Sequence, residues 1–222
     1  MKLCVFSDIH GNRHYFQAVL QTWKNSEFDR CIFLGDAVGY FPDGVWVLDW
    51  LQENDIRCIR GNHDAMLTGA MPIAANKDEV YQIEDTCQHI RKKNLDFIQS
   101  WPDKIEEKFD NINLFFVHGT PDSPLEGYGY EDSAMAGFDQ PDIDFLFIGQ
   151  THRPWIRKNF HTTVVNVGSI GLPRDHGSRP SYAVLDTITR QAEIIRLTVN
   201  PLPILQAPGK IHPVVLDCLR RE

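Results

Sequence analysis

Apolar positions in this chain fall into short segments that break off at polar residues, several of them beside a glycine. Leu3–Phe6, Cys31–Leu34, Arg57–Ile59, Leu114–Val117, Phe145–Ile148, Val164–Val167, Ala183–Leu185 and Glu193–Leu197 read as β-strands. The early ones are apolar without alternation, as expected for strands covered on both faces. Between them the apolar spacing changes to a helical period. Asn12–Asn25 sets Phe16, Val19, Leu20 and Trp23 on one face, and Pro42–Asn54 does so with Val45, Leu48 and Leu51. The proline near the start of the second suits a first helical turn. Asp78–Ser100 predicts a long polar helix, broken near Asn94.

Strand and helix therefore alternate in the first half, as in a layered α/β protein. From Phe160 onward strand follows strand, which suggests a second sheet packed on the first. No interior stretch has the composition of a linker, so residues 1–222 read as a single domain. The tail, residues 200–222, carries Pro201, Pro203, Pro208 and Pro213 without clear periodicity. It reads as an extended arm or a mobile end.

Composition narrows the class. Of 222 residues 42% are hydrophobic and 23% charged, a globular balance. The longest apolar runs are of strand length, and Met1–Gly11 is too weakly apolar for a signal peptide. The five cysteines include no CxxC pair, and Cys4, Cys31 and Cys58 sit in apolar strands, so buried thiols in a reducing cytoplasm are expected. A net charge of -8 argues against a grip on long nucleic acid, which needs Lys and Arg on phosphates. It does not argue against phosphate chemistry in a local cleft. Core burial is expected for Trp46, Trp50, Trp101 and Trp155.

The chemistry sits where the strands stop. Ser7-Asp8-Ile9-His10, Gly35-Asp36, Gly61-Asn62-His63-Asp64, His118-Gly119 and Gly149-Gln150-Thr151-His152 each follow a strand. Any one of them fits a helix cap or a hydrogen-bonding residue. Together they fit a site, because open α/β sheets bind ligands beyond the carboxyl ends of their strands. Two aspartates, an asparagine and several histidines are mixed oxygen and nitrogen ligands, suited to Mn, Fe, Co, Ni or Zn better than to Ca. Asp8 and His10 are two apart, so an extended backbone would point both to one side.

In this order and spacing the motifs resemble the calcineurin-like metallophosphoesterase superfamily, in its small bacterial phosphodiesterase branch. "GDAVGYFPD", "VHGTP" and "VNVGSIGLPRDHGSRPSYAVLD" fit that branch too, and the resemblance covers Met1 to Leu197. It implies a four-layer α/β/β/α sandwich with two mixed β-sheets, and two divalent metal ions, manganese before Fe, Zn, Ni or Co. Asp8, His10 and His152 would hold the first ion, Asn62 and His118 the second, and Asp36 would bridge them. His63 would be the acid or electrostatic partner of the leaving oxygen, with Asp64 orienting it. A hydroxide between the metals would attack phosphorus in line. Arg174 and His176 would reach substrate phosphate. Arg153 and Tyr40 are further pocket candidates; His14, His89, His161 and His212 carry no motif.

One position departs from the pattern. The family usually has histidine where this chain has Gln150. A neutral amide oxygen is a harder and weaker ligand than imidazole. Gln150 either coordinates through its oxygen, holds a water in the ligand's place, or leaves the second site to be completed by substrate. A retained but weaker second site is expected, since Asp36, Asn62 and His118 remain.

The expected function is hydrolysis of small phosphodiesters or nucleotides in the cytoplasm, with no membrane partner. "GDAVGYFPD" lacks the Asp-Arg-Gly usual in the protein-phosphatase and dinucleoside-tetraphosphatase branches. A phosphomonoesterase with the same site is the alternative. A non-catalytic scaffold, as in the family's retromer subunit, fits less well, because such members typically lose the histidine found here as His63.

Overall fold

The computed structural model describes residues 1–74, 76–134 and 137–222. The chain runs β1 (Lys2–Phe6), α1 (Arg13–Trp23), β2 (Arg30–Phe33), α2 (Gly44–Glu53), β3 (Arg57–Cys58), α3 (Asn62–Leu67), α4 (Asp78–Tyr81), α5 (Ile83–His89) and α6 (Lys92–Gln99). It continues with β4 (Lys104–Phe109), β5 (Ile112–Val117), β6 (Phe145–Ile148), β7 (Trp155–Lys158), β8 (Thr163–Asn166), β9 (Ser181–Asp186), β10 (Gln191–Arg196), α7 (Leu202–Gln206) and α8 (Pro213–Leu219).

The strands form two mixed five-stranded sheets, ordered β10-β9-β1-β2-β3 and β4-β5-β6-β8-β7. In the first, β1, β2 and β3 are parallel, and β9 returns antiparallel to β1. In the second, β5, β6 and β8 are parallel. Successive side chains of a strand point to opposite faces, and both faces here are buried. Leu3 and Val5 meet Leu114, Phe116, Phe147 and Val165 in the core between the sheets. Cys4 and Phe6 instead face Phe16, Val19, Leu48 and Leu51 of α1 and α2. The outer face of the second sheet, with Phe115, Leu146 and Ile148, packs against Phe138 and Ile143. Both come from the connection before β6, so a loop segment covers that face among the described residues.

Several elements differ from expectation. The late strands do not form a sheet of their own: β9 and β10 close the first sheet, and β7 and β8 belong to the second. The long helix over Asp78–Ser100 is three short ones, interrupted at Gln82, whose φ is 60°, and at Ile90–Arg91 rather than at Asn94. β4 escapes the sequence reading because KIEEKF has only Ile105 and Phe109 as buried apolar residues. The tail from residue 200 is not extended. Pro203 and Pro213 stand in the first turns of α7 and α8, where the missing N–H costs nothing. His212 caps α8, its Nδ1 accepting from the Val214 N–H at 3.2 Å.

The tryptophans are core or half-buried, and all five cysteines are free thiols. No helix among the described residues is long and apolar enough to cross a membrane.

Candidate metal centre and its cleft

The parallel strands of both sheets deliver their carboxyl ends to one place. β1 leads to Asp8 and His10, β2 to Asp36, β3 to Asn62 and His63, β5 to His118, and β6 to Gln150 and His152. All of these side chains are buried. Backbone bonds lace the loops together: Asp8 N–H donates to Gly35 O, His10 N–H to Asp36 O, and Gly149 N–H to His118 O. Ser169, after β8, ties the sheets by donating its hydroxyl to Asp8 O at 2.8 Å.

Asp8 and His10 reach the centre by a different route from the one expected. Their φ angles are 55° and 52°, so they are in the left-handed region and not in extended strand. Asp36, Gln150 and His152 share that conformation, at 61°, 62° and 58°. Such angles are costly outside glycine and cluster at functional sites. Here they turn side chains inward from loops too short to curve otherwise.

Three imidazoles are fixed in the same way. His10 Nδ1 lies 3.0 Å from Val38 O, His118 Nδ1 2.8 Å from Leu34 O, and His152 Nδ1 2.7 Å from Leu172 O. A carbonyl only accepts, so each ring carries a proton on Nδ1 and turns Nε2 inward. His10 and His152 bring their Nε2 atoms within 3.1 Å of each other. Burial and the charge of Arg174 push His152 down to about 4, so it is neutral there and its Nε2 is a bare lone pair. Asp8 Oδ1 is 3.0 Å from His152 Nε2 and 3.5 Å from His10 Nε2. Asp36 Oδ2 is 3.6 Å from His10 Nε2 and 3.4 Å from His118 Nε2, between the two groups.

Such a cluster of inward lone pairs and carboxylates demands positive charge. Burial works against ionisation of both aspartates, yet the surrounding imidazoles hold Asp8 and Asp36 well below the usual carboxylate range. Burial likewise works against charge on His118, but the carboxylates of Asp36 and Asp8 hold it up to about 10. The buried Asp8 Oδ1 and Asn62 Oδ1 have no hydrogen-bond donor. The triads Asp8–His10–His152 and Asp8–Asp36–His118 each offer ligand atoms within 4.8 Å of one another, as does His10–Asp36–His63. Carboxylate oxygens, an amide oxygen and imidazole nitrogens around unsatisfied buried atoms fit a divalent transition metal.

Gln150 joins the cluster. Its Oε1 lies 2.7 Å from His118 Nε2, its amide donates to Leu125 O at 3.3 Å, and its N–H donates to Asp8 Oδ2 at 3.2 Å. The amide is thus anchored with its oxygen turned inward.

His63 and Asp64 do not form the pair expected of them. The Asp64 carboxylate accepts from the backbone N–H groups of Asp36, Ala37 and Gly61, at 2.7, 3.0 and 3.0 Å, and so ties the β2 loop to the start of α3. Burial and the charge of Asp36 push its carboxyl up to about 7 against those three donors. The His63 ring packs edge-on to His10 and beside Tyr40 and Tyr81, with centroids 4.7, 4.9 and 4.4 Å away. Its Nδ1 has no partner. Burial pushes it down to about 3, so it enters the site as a neutral imidazole. Gly39, at φ 93°, leaves room for it; a Cβ there would run into His63 Nδ1.

A cleft of about 470 Å³ opens over Asp36, Asn62, His63, Gln150 and His152. Arg174 lines it and donates to the Tyr40 hydroxyl at 3.0 Å. Tyr40 lines it as well. His176 does not: it is exposed on the surface. Arg153 is exposed too, beside a separate hollow with Tyr130 and Trp155. Sequence reading missed Lys77, Tyr81, Tyr128 and the contribution of α8, because none of them follows a strand end or carries a motif.

Two parallel-strand fans converge on buried imidazoles and carboxylates at the join of two sheets and define a metal-binding centre. The profile of the calcineurin-like phosphoesterase superfamily domain matches residues 1–190, and the chain belongs to this family. It is a metal-dependent phosphoester hydrolase. It is 28% identical over 212 residues to an uncharacterized protein of Methanocaldococcus jannaschii, covering 88% of this chain and 86% of that one. It is 24% identical over 218 residues to the phosphodiesterase YfcE of Escherichia coli, covering 90% of this chain and all of the other. The crystal structure of a metallophosphoesterase from Sphaerobacter thermophilus superposes with a TM-score of 0.79 at 23% identity, over 99% of this chain and 98% of that one.

Proposed function

We propose that this protein hydrolyses phosphodiesters with two divalent cations, manganese first among them. The observation that carries the reading is the shared fixing of His10, His118 and His152, each held through Nδ1 with Nε2 turned inward on Asp8 and Asp36. Asp8, His10 and His152 form one ligand group. Asn62, His118 and Gln150 form the other, and Asp36 stands between. Bound there, the cations supply charge for phosphate oxygens and a water acidic enough to ionise near neutral pH.

The remaining steps belong to the chain. Asn62, beside His63 at the start of α3, offers its amide to a phosphate oxygen. His63 is neutral in the free protein; the charge of a bound phosphate draws a second proton to its ring, and that proton passes to the departing oxygen. Asp64 positions the loops and not the imidazole. Arg174 holds a non-bridging oxygen of the substrate. The diester preference is supported by the similarity to YfcE. A small ester in the cytoplasm is the partner that suits an acidic protein with free thiols.

The test is turnover of bis(p-nitrophenyl) phosphate after metal removal and manganese return, beside His63→Ala. We expect manganese-dependent turnover, reduced ~10²–10⁴-fold in the variant. A folded protein that binds manganese but turns over only monoesters would move the reading to a phosphomonoesterase; no turnover of either would remove the hydrolytic role.

A further inference from the structure

The cleft has a wall made of residues beyond the span that the family profile matches. Helix α8 brings Val214, Val215 and Cys218 to it, and Arg221 follows directly. This helix is fastened to the metal centre. Val215 and Leu219 are buried against Tyr15, Tyr40 and Leu172. Gly177 N–H donates to Arg221 O at 2.9 Å, and Arg221 Nη1 donates to Arg174 O at 2.9 Å. A Cβ on Gly177 would run into the backbone of Cys218 and Leu219, so only glycine lets α8 lie this close. The loop that carries Arg174 and the helix that lines the cleft therefore hold each other.

The wall has a definite chemistry. Tyr128 and Val214 are 50% and 49% exposed, two of the large hydrophobic side chains left open to solvent, and both line this cleft. Tyr81 adds a third surface beside His63. Asp36 is the only acidic residue of the lining among the described residues, and it belongs to the metal centre. Arg174 is mostly buried, bonded to the Tyr40 hydroxyl, and has no carboxylate partner among the described residues. A largely covered guanidinium with no carboxylate in ion-pair contact calls for an anion. Aromatic faces opened to water call for a flat ring. The cleft volume is that of a small-molecule site.

We propose that α8, together with Tyr81 and Tyr128, seats the ester group of the substrate, and that this group is a flat ring system of nucleoside type whose phosphate is held by Arg174. The choice of ester deepens the phosphodiesterase reading, but the seat is tested by binding alone. The probes are adenosine 5′-monophosphate, hexyl phosphate and methyl phosphate, titrated calorimetrically into the manganese-loaded protein. The nucleotide is expected to bind ~10-fold or more tightly than methyl phosphate, the range that one stacked base supplies. That advantage should shrink to ~2-fold in Tyr128→Ala and in Val214→Ser, with methyl phosphate affinity unchanged. Both positions are half exposed, so the variants keep their fold, which the melting temperature verifies.

Equal binding of nucleotide and methyl phosphate, an undiminished advantage in both variants, or no binding of any probe would overturn the proposal. Hexyl phosphate binding as well as the nucleotide would overturn the ring and leave an alkyl seat. Turnover of a chromogenic diester is measured separately. If it fails while nucleotide selectivity holds, the hydrolytic reading falls and the seat stands.

Discussion

At the scale of single residues, Gln150 stands where the sequence resemblance implies a histidine. Its oxygen already faces His118 Nε2 at 2.7 Å, so the amide stands where a ligand is needed. Imidazole binds a borderline metal more strongly than a neutral amide does. Gln150→His should therefore tighten metal binding ~10-fold, read by competition with a chelating dye; unchanged affinity would show that Gln150 is not a ligand. Asp64 makes a contrasting case. It accepts three backbone N–H groups, and an asparagine there turns an NH₂ toward one of them. Asp64→Asn should cost ~2–3 kcal/mol in urea unfolding, whereas a residue acting only through His63 would leave stability unchanged. Asp175 supplies the pH dependence. Burial opposes its charge, but Arg196, paired with both carboxylate oxygens, holds the carboxyl below the usual range. A depressed carboxyl stabilises the folded state above the unfolded pKa of ~4 and loses that contribution as the pH falls through the folded value. Asp175→Asn should thus cost ~1 kcal/mol at pH 7, with the cost diminishing below pH ~4.

At the scale of elements, the short loops after β1 and β2 bear the strain of the centre, and their anchors repay it. Asn12 is one. Its Oδ1 caps α1 by accepting from Tyr15 N–H at 3.1 Å, and its Nδ2 donates to Gly171 O at 2.6 Å. One side chain thereby fastens α1 to the loop after β8. Asn12→Ala should cost ~2 kcal/mol, the sum of a lost cap and an unsatisfied buried carbonyl, and should weaken cation binding as the β1 loop relaxes. A melting curve and a manganese titration check both. The helices of this chain were readable where one face is apolar, as in α1 and α2. In the polar stretch of α4 to α6 the helix was read but not its breaks, and α7 and α8, with proline in their first turns, were not read at all. Proline signals both the end of a helix and its first turn, and sequence alone does not say which applies.

For the whole molecule, two sheets back to back bring five strand ends to one edge, and bound metal would relieve the repulsion among their carboxylates. Removing metal should lower the melting temperature, and manganese at ~100 times its dissociation constant should restore ~2.7 kcal/mol of stability. A stability independent of manganese would mean that the buried lone pairs and carboxylates are satisfied without it.

The strand ends, their order and their residue types were all set down in the sequence. So was their fitness for a metal ion, because ligand hardness is a property of side chains and not of their arrangement. What tertiary structure decided is how they meet. Asp8 and His10 converge through left-handed backbone turns, which periodicity does not encode. The proton positions of His10, His118 and His152 depend on carbonyls of Val38, Leu34 and Leu172 that lie far away in the chain. Asp64 was drawn to backbone N–H groups instead of to its neighbour His63, since a buried carboxylate goes where donors are. The wall of the cleft arose from α8, some 60 residues after His152, for packing joins what the chain holds apart.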